Sequence, residues 1–520
     1  MRSYRQSVKH RVRRRLLSRA VDLLTTHRHR TPIVVPRELR ALVDFALHTL
    51  EGMGGKTLRK TVRGDLDEWL RWQSARIQRR KAEELRVIYL CGPEPLNDLE
   101  VLLDLGINPH NVWAVESNEQ TFRSAVSELD KAAIPVKMHL GSLAQFFERV
   151  QETFDIAYID GTRPMLGGRP SALAPVLELL RSSRLEELSI LITNFAETPT
   201  ATDERDRYSR VMTEFFRFRY NDVPRILFQA GVDPAISEHE SAHMLPAVEA
   251  NVDAVYSDFV SRLIIDLARA WIPSAKGLRA IERQYLSNTS IAQATIKAAY
   301  SPDLTGTTIE EILLNIGDAN LSPSSYPLVS FVRGLQALTP SEPLGQQLEN
   351  QLFAGQNALV LNRSAALLDK IIEGHWKLAS QELLRAITTP WFDQNSPFTC
   401  DLPLPNLVVN SLLGTYGRPY FTSLRDSMRG QYKAKSTTMY VDMFVLDQCR
   451  YYFDWFPTVS QVPTRFRSLP FQILARCLMD RIWSADKSPD AHPFRGSSVA
   501  GFYALKTAPF SSLARRATWK

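Results

Sequence analysis

The run Arg86-Val-Ile-Tyr-Leu-Cys91 is followed by Gly92-Pro93-Glu94-Pro95 and then by a helical pattern from Leu96 to Leu105. A short apolar run, a glycine–proline turn and a periodic segment of that length predict a strand–turn–helix unit. The pattern continues downstream. Asn111-Val-Trp-Ala-Val115 reads as a second strand ending on Glu116, and a third short strand lies near Val136 to Leu140. Phe154-Asp-Ile-Ala-Tyr-Ile159 reads as a fourth, ending on Asp160-Gly161, and Leu188-Ser-Ile-Leu-Ile-Thr193 as a fifth, ending on Asn194. Short apolar strands alternating with helices predict an α/β fold whose parallel sheet is covered on both faces. Ligands of such sheets bind beyond the carboxyl ends of the strands, so the polar residues there are the first site candidates.

Working outward, 520 residues exceed one ordinary core and predict two or three domains. We divide the chain into a basic helical N-terminal segment (1–85), a cofactor-binding domain (86–220), a mainly helical region (221–390) and an aromatic-rich mixed α/β region (391–520). Within 36–85, the spacing of Leu39, Leu42, Val43, Phe45 and Ala46 predicts one helix, and a break falls at Gly52-Met-Gly-Gly55. Gly55-Lys56-Thr57 is part of a phosphate-loop pattern, but Leu50 stands where that loop needs glycine and no strand precedes it, so the triplet reads as a turn. A second helix is expected from Leu66 to Leu85, with Trp69 and Trp72 on one face and Arg79-Arg80-Lys81 near its end. Another helix is expected from Thr198 to Phe218. Met439-Tyr-Val-Asp-Met-Phe-Val-Leu446 and Gly501-Phe-Tyr-Ala-Leu505 are late strand candidates. They would either complete the first sheet or build a separate C-terminal domain, and the separate domain is the expectation.

Charge is unevenly placed. Residues 1–81 hold 21 Lys/Arg against 7 Asp/Glu, a balance of +14 within a chain whose formal net charge is +7. Such concentration favours anionic partners such as nucleic acid or a membrane surface. Leu16, Leu17, Ala20, Val21 and Leu24 give the Arg-rich start one apolar helix face. A secretory signal is not expected, since no long uncharged core follows the charges; the composition is compatible with an organelle transit peptide. No apolar run approaches a membrane span, and Cys91, Cys400, Cys449 and Cys477 lack paired spacing, which points to a reducing compartment, the cytoplasm.

The strand ends carry a resemblance. Cys91-Gly92-Pro93-Glu94-Pro95 after strand one, Glu116 after strand two, Gly141-Ser142 after strand three and Asp160-Gly161 after strand four resemble the class I, Rossmann-like S-adenosylmethionine-dependent methyltransferases. The likeness covers about 110 residues, roughly a fifth of the chain. It implies a loop with Cys91, Gly92 and Glu94 under the methionine part of the cofactor, Glu116 on the ribose hydroxyls and Ser142 near the adenine. It further implies that Asp160 faces both cofactor and substrate, the catalytic position. This sequence departs from the family in having one glycine in the first loop and Ser142 in place of an acid. Gly-x-Gly-x-x-Gly is absent, which disfavours a nicotinamide cofactor. Arg163 and Arg169, in the loop after strand four, are candidates for holding an anionic substrate.

Two other stretches compete. His239-Glu240-Ser241-Ala242-His243 matches His-Glu-x-x-His, in which two histidines one helical turn apart bind zinc and the glutamate activates water. It is similar to zinc metallopeptidases over those five residues, with Glu249, Asp253 and Asp258 as third-ligand candidates, although Pro246 would strain the helix. From Tyr416 to Phe456, Arg418, Arg425, Arg429, Lys433, Lys435 and Arg450 interleave with aromatic residues, a pattern that fits either base stacking or an inward-facing core. The expected function is S-adenosylmethionine-dependent methyl transfer to nucleic acid, contacted through the basic N-terminal segment and the C-terminal region. The alternatives are a non-catalytic nucleic-acid-binding or assembly protein on the same fold, and the zinc metallopeptidase.

Overall fold

The computed structural model describes residues 7–49, 55–168, 170–217, 219, 223–237, 240–286, 335, 338, 342–353, 378–389, 404–485 and 513–520. Three helices precede the sheet: α1 (Ser7–Leu24), α2 (Pro36–Thr49) and α3 (Gly55–Arg76). The expected alternation comes next, as β1 (Val87–Leu90), α4 (Leu96–Asp104), β2 (Val112–Glu116), α5 (Glu119–Ala132), β3 (Lys137–Leu140), α6 (Leu143–Arg149), β4 (Phe154–Asp160), α7 (Ala174–Ser182) and β5 (Leu185–Ala196). Then come α8 (Thr202–Phe216), α9 (Arg225–Gln229), α10 (Pro234–Ser237), α11 (Ser241–Ala250), α12 (Val252–Asp266) and α13 (Ile272–Tyr285). Further helices span Pro343–Phe353, Gln381–Thr388, Leu404–Gly417 and Leu469–Trp483. The late strands are β6 (Phe421–Thr422), β7 (Met428–Ala434), β8 (Thr437–Asp447) and β9 (Ala517–Thr518).

The nine strands among the described residues form one sheet, in the order β3-β2-β1-β4-β5-β8-β7-β9, with β6 beside β8. β3, β2, β1, β4 and β5 are parallel. β8 runs antiparallel to β5 over nine residue pairs, and β7 antiparallel to β8, so β7 points the same way as β5. The result is the doubly wound 3-2-1-4-5-6 order with the antiparallel β8 inserted before β7 and the short β9 parallel to β7 at the edge. This is a Rossmann-like α/β fold. The expectation of a separate sheet for the late strands is corrected here: β8 is buried from Met439 to Asp447 because it is an interior strand between β5 and β7. The candidate Gly501–Leu505 lies outside the described residues.

Period-two alternation sorts the side chains into two cores. Tyr89, Ile156, Tyr158, Ile190, Ile192, Val441, Met443 and Val445 face α1, α4 and α5. Ile88, Ala157, Ile159, Leu191, Phe195, Tyr440, Phe444 and Leu446 face α2, α3, α6, α7, α8 and α12. The change of side falls between β1, whose helix α4 lies on one face, and β4, whose helix α7 lies on the other. That crevice is where ligands of doubly wound sheets bind.

The second N-terminal helix differs from expectation. It spans Gly55–Arg76, and Arg79-Arg80-Lys81 stand beyond its end, where Arg80 pairs with the buried Asp155 at the start of β4. Trp69 and Trp72 do not share an environment. Trp69 is 1% exposed and donates from its indole to the Tyr451 carbonyl at 3.2 Å, whereas Trp72 is 41% exposed. The buried stripe runs through Val62, Leu66, Trp69, Leu70 and Gln73, and a further step of three residues leaves it. The aromatic C-terminal region has its rings inside: Tyr420, Phe421, Tyr432, Tyr440, Tyr451, Tyr452 and Phe453 are all buried.

Candidate functional site

Three strand ends meet in register at the crevice. The Cys91 N–H donates to the Val115 carbonyl at 3.2 Å, and the Gly141 N–H to the Glu116 carbonyl at 2.9 Å. The β1, β2 and β3 loops therefore leave the sheet side by side. Gly92 has φ +59, and a Cβ built there would have no atom within 4 Å, so the space above the β1 end is open. Glu116 is half-buried, and one carboxylate oxygen takes the Asn118 N–H at 2.8 Å. Gly141 has φ +144, and a Cβ there would stand 2.6 Å from Gln145 Oε1 and 2.9 Å from His139 Nε2, so that turn demands glycine.

The other expected residues have partners of their own. The Glu94 carboxylate accepts the Asn97 side-chain N–H at 2.7 Å. Cys91 is buried, which pushes its thiol up to about 12, with the neighbouring Glu116 charge adding; it is an inert packing group. Ser142 is exposed and serves as the N-cap of α6 in a reciprocal capping box with Gln145. Its place after β3 is as expected, with the hydroxyl turned to the helix.

Asp160, at the end of β4, lies in a polar cluster. One oxygen accepts from the Lys9 ammonium at 2.7 Å, the other from the Asn194 amide at 2.8 Å. The same Asn194 nitrogen reaches the Tyr432 hydroxyl at 2.8 Å, and Asn194 Oδ1 is buried without a hydrogen-bond donor among the described residues. One turn along α1, Arg13 pairs with Asp98 in the first turn of α4 and donates to the Asn97 carbonyl at 3.2 Å. Burial pushes the Asp98 carboxyl up to about 6 although Arg13 opposes it; the Asp160 charge adds to the rise. The guanidinium of Arg13 is nonetheless held on, burial being outweighed by Asp98, Tyr158 and Asp160.

Lys9, Arg13 and Tyr432 are the site residues that sequence reasoning missed. A signal existed: Lys9, Arg13, Leu16, Leu17 and Ala20 succeed one another at helical spacing, so two cations fall on the apolar stripe of α1. Arg13 is buried and Lys9 half-buried, and both are partners of the crevice, not parts of a free arm.

The His-Glu-x-x-His stretch does not lie on one helix. α11 begins at Ser241, and Glu240 has extended backbone at its N-cap. His243 Nε2 accepts the Asp233 N–H at 3.2 Å, Asp253 is paired with Arg205, and Asp258 with Arg429. His239 lies outside the described residues, as does Arg169. Among the described residues no three His, Cys, Asp or Glu side chains gather as a metal site. Also among them, no helix is long and apolar enough to cross a membrane.

No protein-family model matches the chain, and no curated protein does. Among solved structures it is similar to a chain described as a caffeoyl-CoA O-methyltransferase from Staphylococcus aureus. The two are 14% identical; the match covers 43% of this chain and 88% of the other, with a TM-score of 0.17. The fold class stands on the strand order itself.

Proposed function

We propose that the chain binds S-adenosylmethionine across the ends of β1, β2 and β4 and methylates nucleic acid. The observation that supports this most is the pairing of open space above Gly92 with the Glu116 carboxylate on the adjacent strand. A carboxylate there can accept both ribose hydroxyl hydrogens, and the bare Gly92 backbone lets a ligand approach. The orphaned Asn194 Oδ1 and the Asp160 carboxylate add acceptors at the ends of β5 and β4, which suits a cationic or N–H-bearing ligand. Bound there, the cofactor would supply an electrophilic methyl group on a sulfonium centre. Asp160 then holds the proton of the acceptor hydroxyl or amine, and Asn194 keeps the carboxylate oriented.

The test is transfer of labelled methyl groups from S-adenosylmethionine to RNA and DNA by the full chain. Asp160→Ala is expected to abolish incorporation and to weaken S-adenosylhomocysteine binding less than Glu116→Ala does. Incorporation unchanged in that variant removes Asp160 from the chemistry.

A second reading has one observation of its own. Lys9 already sits on Asp160, which suits a non-catalytic relative whose N-terminal helix has taken over the site. Lys9→Met separates the two. Cofactor binding in the wild type supports the enzyme; binding that emerges only in the variant supports the self-occupied scaffold.

A further inference from the structure

We infer that a cavity beside the β4 and β5 ends, on the α7 and α8 face, is the seat of one phosphodiester of a single-stranded nucleic-acid segment. This rests on the methyltransferase reading, for which it supplies the place of the acceptor.

The cavity has a volume of about 320 Å³, at the small end of ligand sites, which span roughly 300–1,000 Å³. It is walled by Arg163 in the loop after β4 and by Glu204 and Arg207 on α8; Leu166, Tyr208 and Leu344 line the rest. Arg163 lies three residues past Asp160, and its carbonyl accepts the Ala196 N–H at 3.0 Å, which keeps the loop against the end of β5. The cavity and the Asp160 cluster thus flank the same two strand ends.

The charges are informative. Nearby arginines are neutralised: Arg205 pairs with Asp253 at 3.0 Å and Arg210 with Glu342 at 3.6 Å. Neither Arg163 nor Arg207 forms an ion pair with a described residue. With Glu204 counted, the walls carry one net positive charge, which matches a phosphodiester better than a dianionic phosphomonoester. The Tyr208 hydroxyl is spent on the Leu166 carbonyl and its ring is buried against Tyr256, so the polar contacts to a ligand fall to the two arginines. A cavity of this size excludes a duplex, which selects a single strand or a flipped nucleotide.

The experiment is fluorescence anisotropy of the full chain with a short single-stranded oligonucleotide across a range of salt concentrations. Arg163→Gln and Arg207→Gln are each expected to weaken binding by about three- to tenfold. Each should also lower the slope of log K against log salt by about 0.7. Glu204→Gln should tighten binding, a gain that a role confined to folding does not produce. S-adenosylhomocysteine affinity should stay constant in all three. No binding by the wild type, or binding that all three variants leave unchanged, overturns the assignment. So does an arginine-dependent complex with an acidic peptide where the oligonucleotide fails. Oligonucleotide binding that tracks these variants while S-adenosylhomocysteine does not bind leaves the cavity assigned and removes the cofactor reading instead.

Discussion

Asp98 carries the clearest pH signature of any single residue. It is fully buried against Arg13 at the crevice, with its carboxyl raised to about 6. An unfolded Asp titrates near ~4, so between those values the folded chain binds the extra proton. The resulting stability is fully present below pH ~4 and is lost as pH rises through about 6. A shift of that size corresponds to about 3 kcal/mol at most. Urea unfolding from pH 4 to 7 should therefore show the wild type losing stability relative to Asp98→Asn as pH rises. A difference that is flat with pH would show that Arg13 keeps Asp98 ionised throughout. Other single residues explain where sequence reading stopped. Glu116, Gly92 and Asp160 were legible because a polar residue or glycine just past an apolar run falls at a strand end. Ser142 was less so: Ser142 and Gln145 already spell a capping box, a local use that competes with a ligand for the same hydroxyl.

At the scale of elements, α1 decides whether the crevice is complete. Its stripe of Val12, Leu16, Leu17, Ala20 and Leu24 is buried on the face shared with Tyr89, Tyr158 and Val441, and it carries Lys9 and Arg13 to the site. Leu16→Ala should destabilise the fold by about 2–5 kcal/mol, read as a shift in the urea midpoint. A cost below about 1 kcal/mol would mean that α1 docks only loosely. The helix was readable as amphipathic, but its Arg-rich sequence suggested an arm for outside partners. The partners are inside because the acids that meet it, Asp98 and Asp160, lie 85 and 151 positions downstream of Arg13 and Lys9 in the sequence. β8 shows the same limit. Its apolar run was visible as a strand, yet the pairing of Leu188 with Asp447 joins residues far apart, and no local pattern encodes such a partner.

The whole molecule closes around charges exchanged between distant segments. The basic first 81 residues pair with acids of the remainder: Arg76 with Glu187 and Asp454, and Arg80 with Asp155 and Glu186. The end of the chain is tied in the same way. Arg516 donates to both oxygens of the buried Asp442, at 2.7 and 2.8 Å, and to the Ser261 and Ser257 side chains of α12. Trp519 then packs over Gly430 on β7 and under Arg15 of α1. Arg516→Met leaves Asp442 with the Ser261 hydroxyl at 2.8 Å and with Arg429 at 3.8 Å, and should cost about 3–5 kcal/mol. Urea unfolding measures it, and a change within about 0.5 kcal/mol would show that residues 513–520 do not hold the sheet together.

The proposed cofactor site depends most directly on one carboxylate, and calorimetric titration with S-adenosylhomocysteine tests it. The wild type is expected to bind. Glu116→Ala should bind about 10- to 100-fold more weakly, the loss of charge-assisted hydrogen bonds worth roughly 1.5–3 kcal/mol, with an unchanged melting temperature. A folded wild type that does not bind, or a variant that binds equally well, would contradict a cofactor site over β1 and β2.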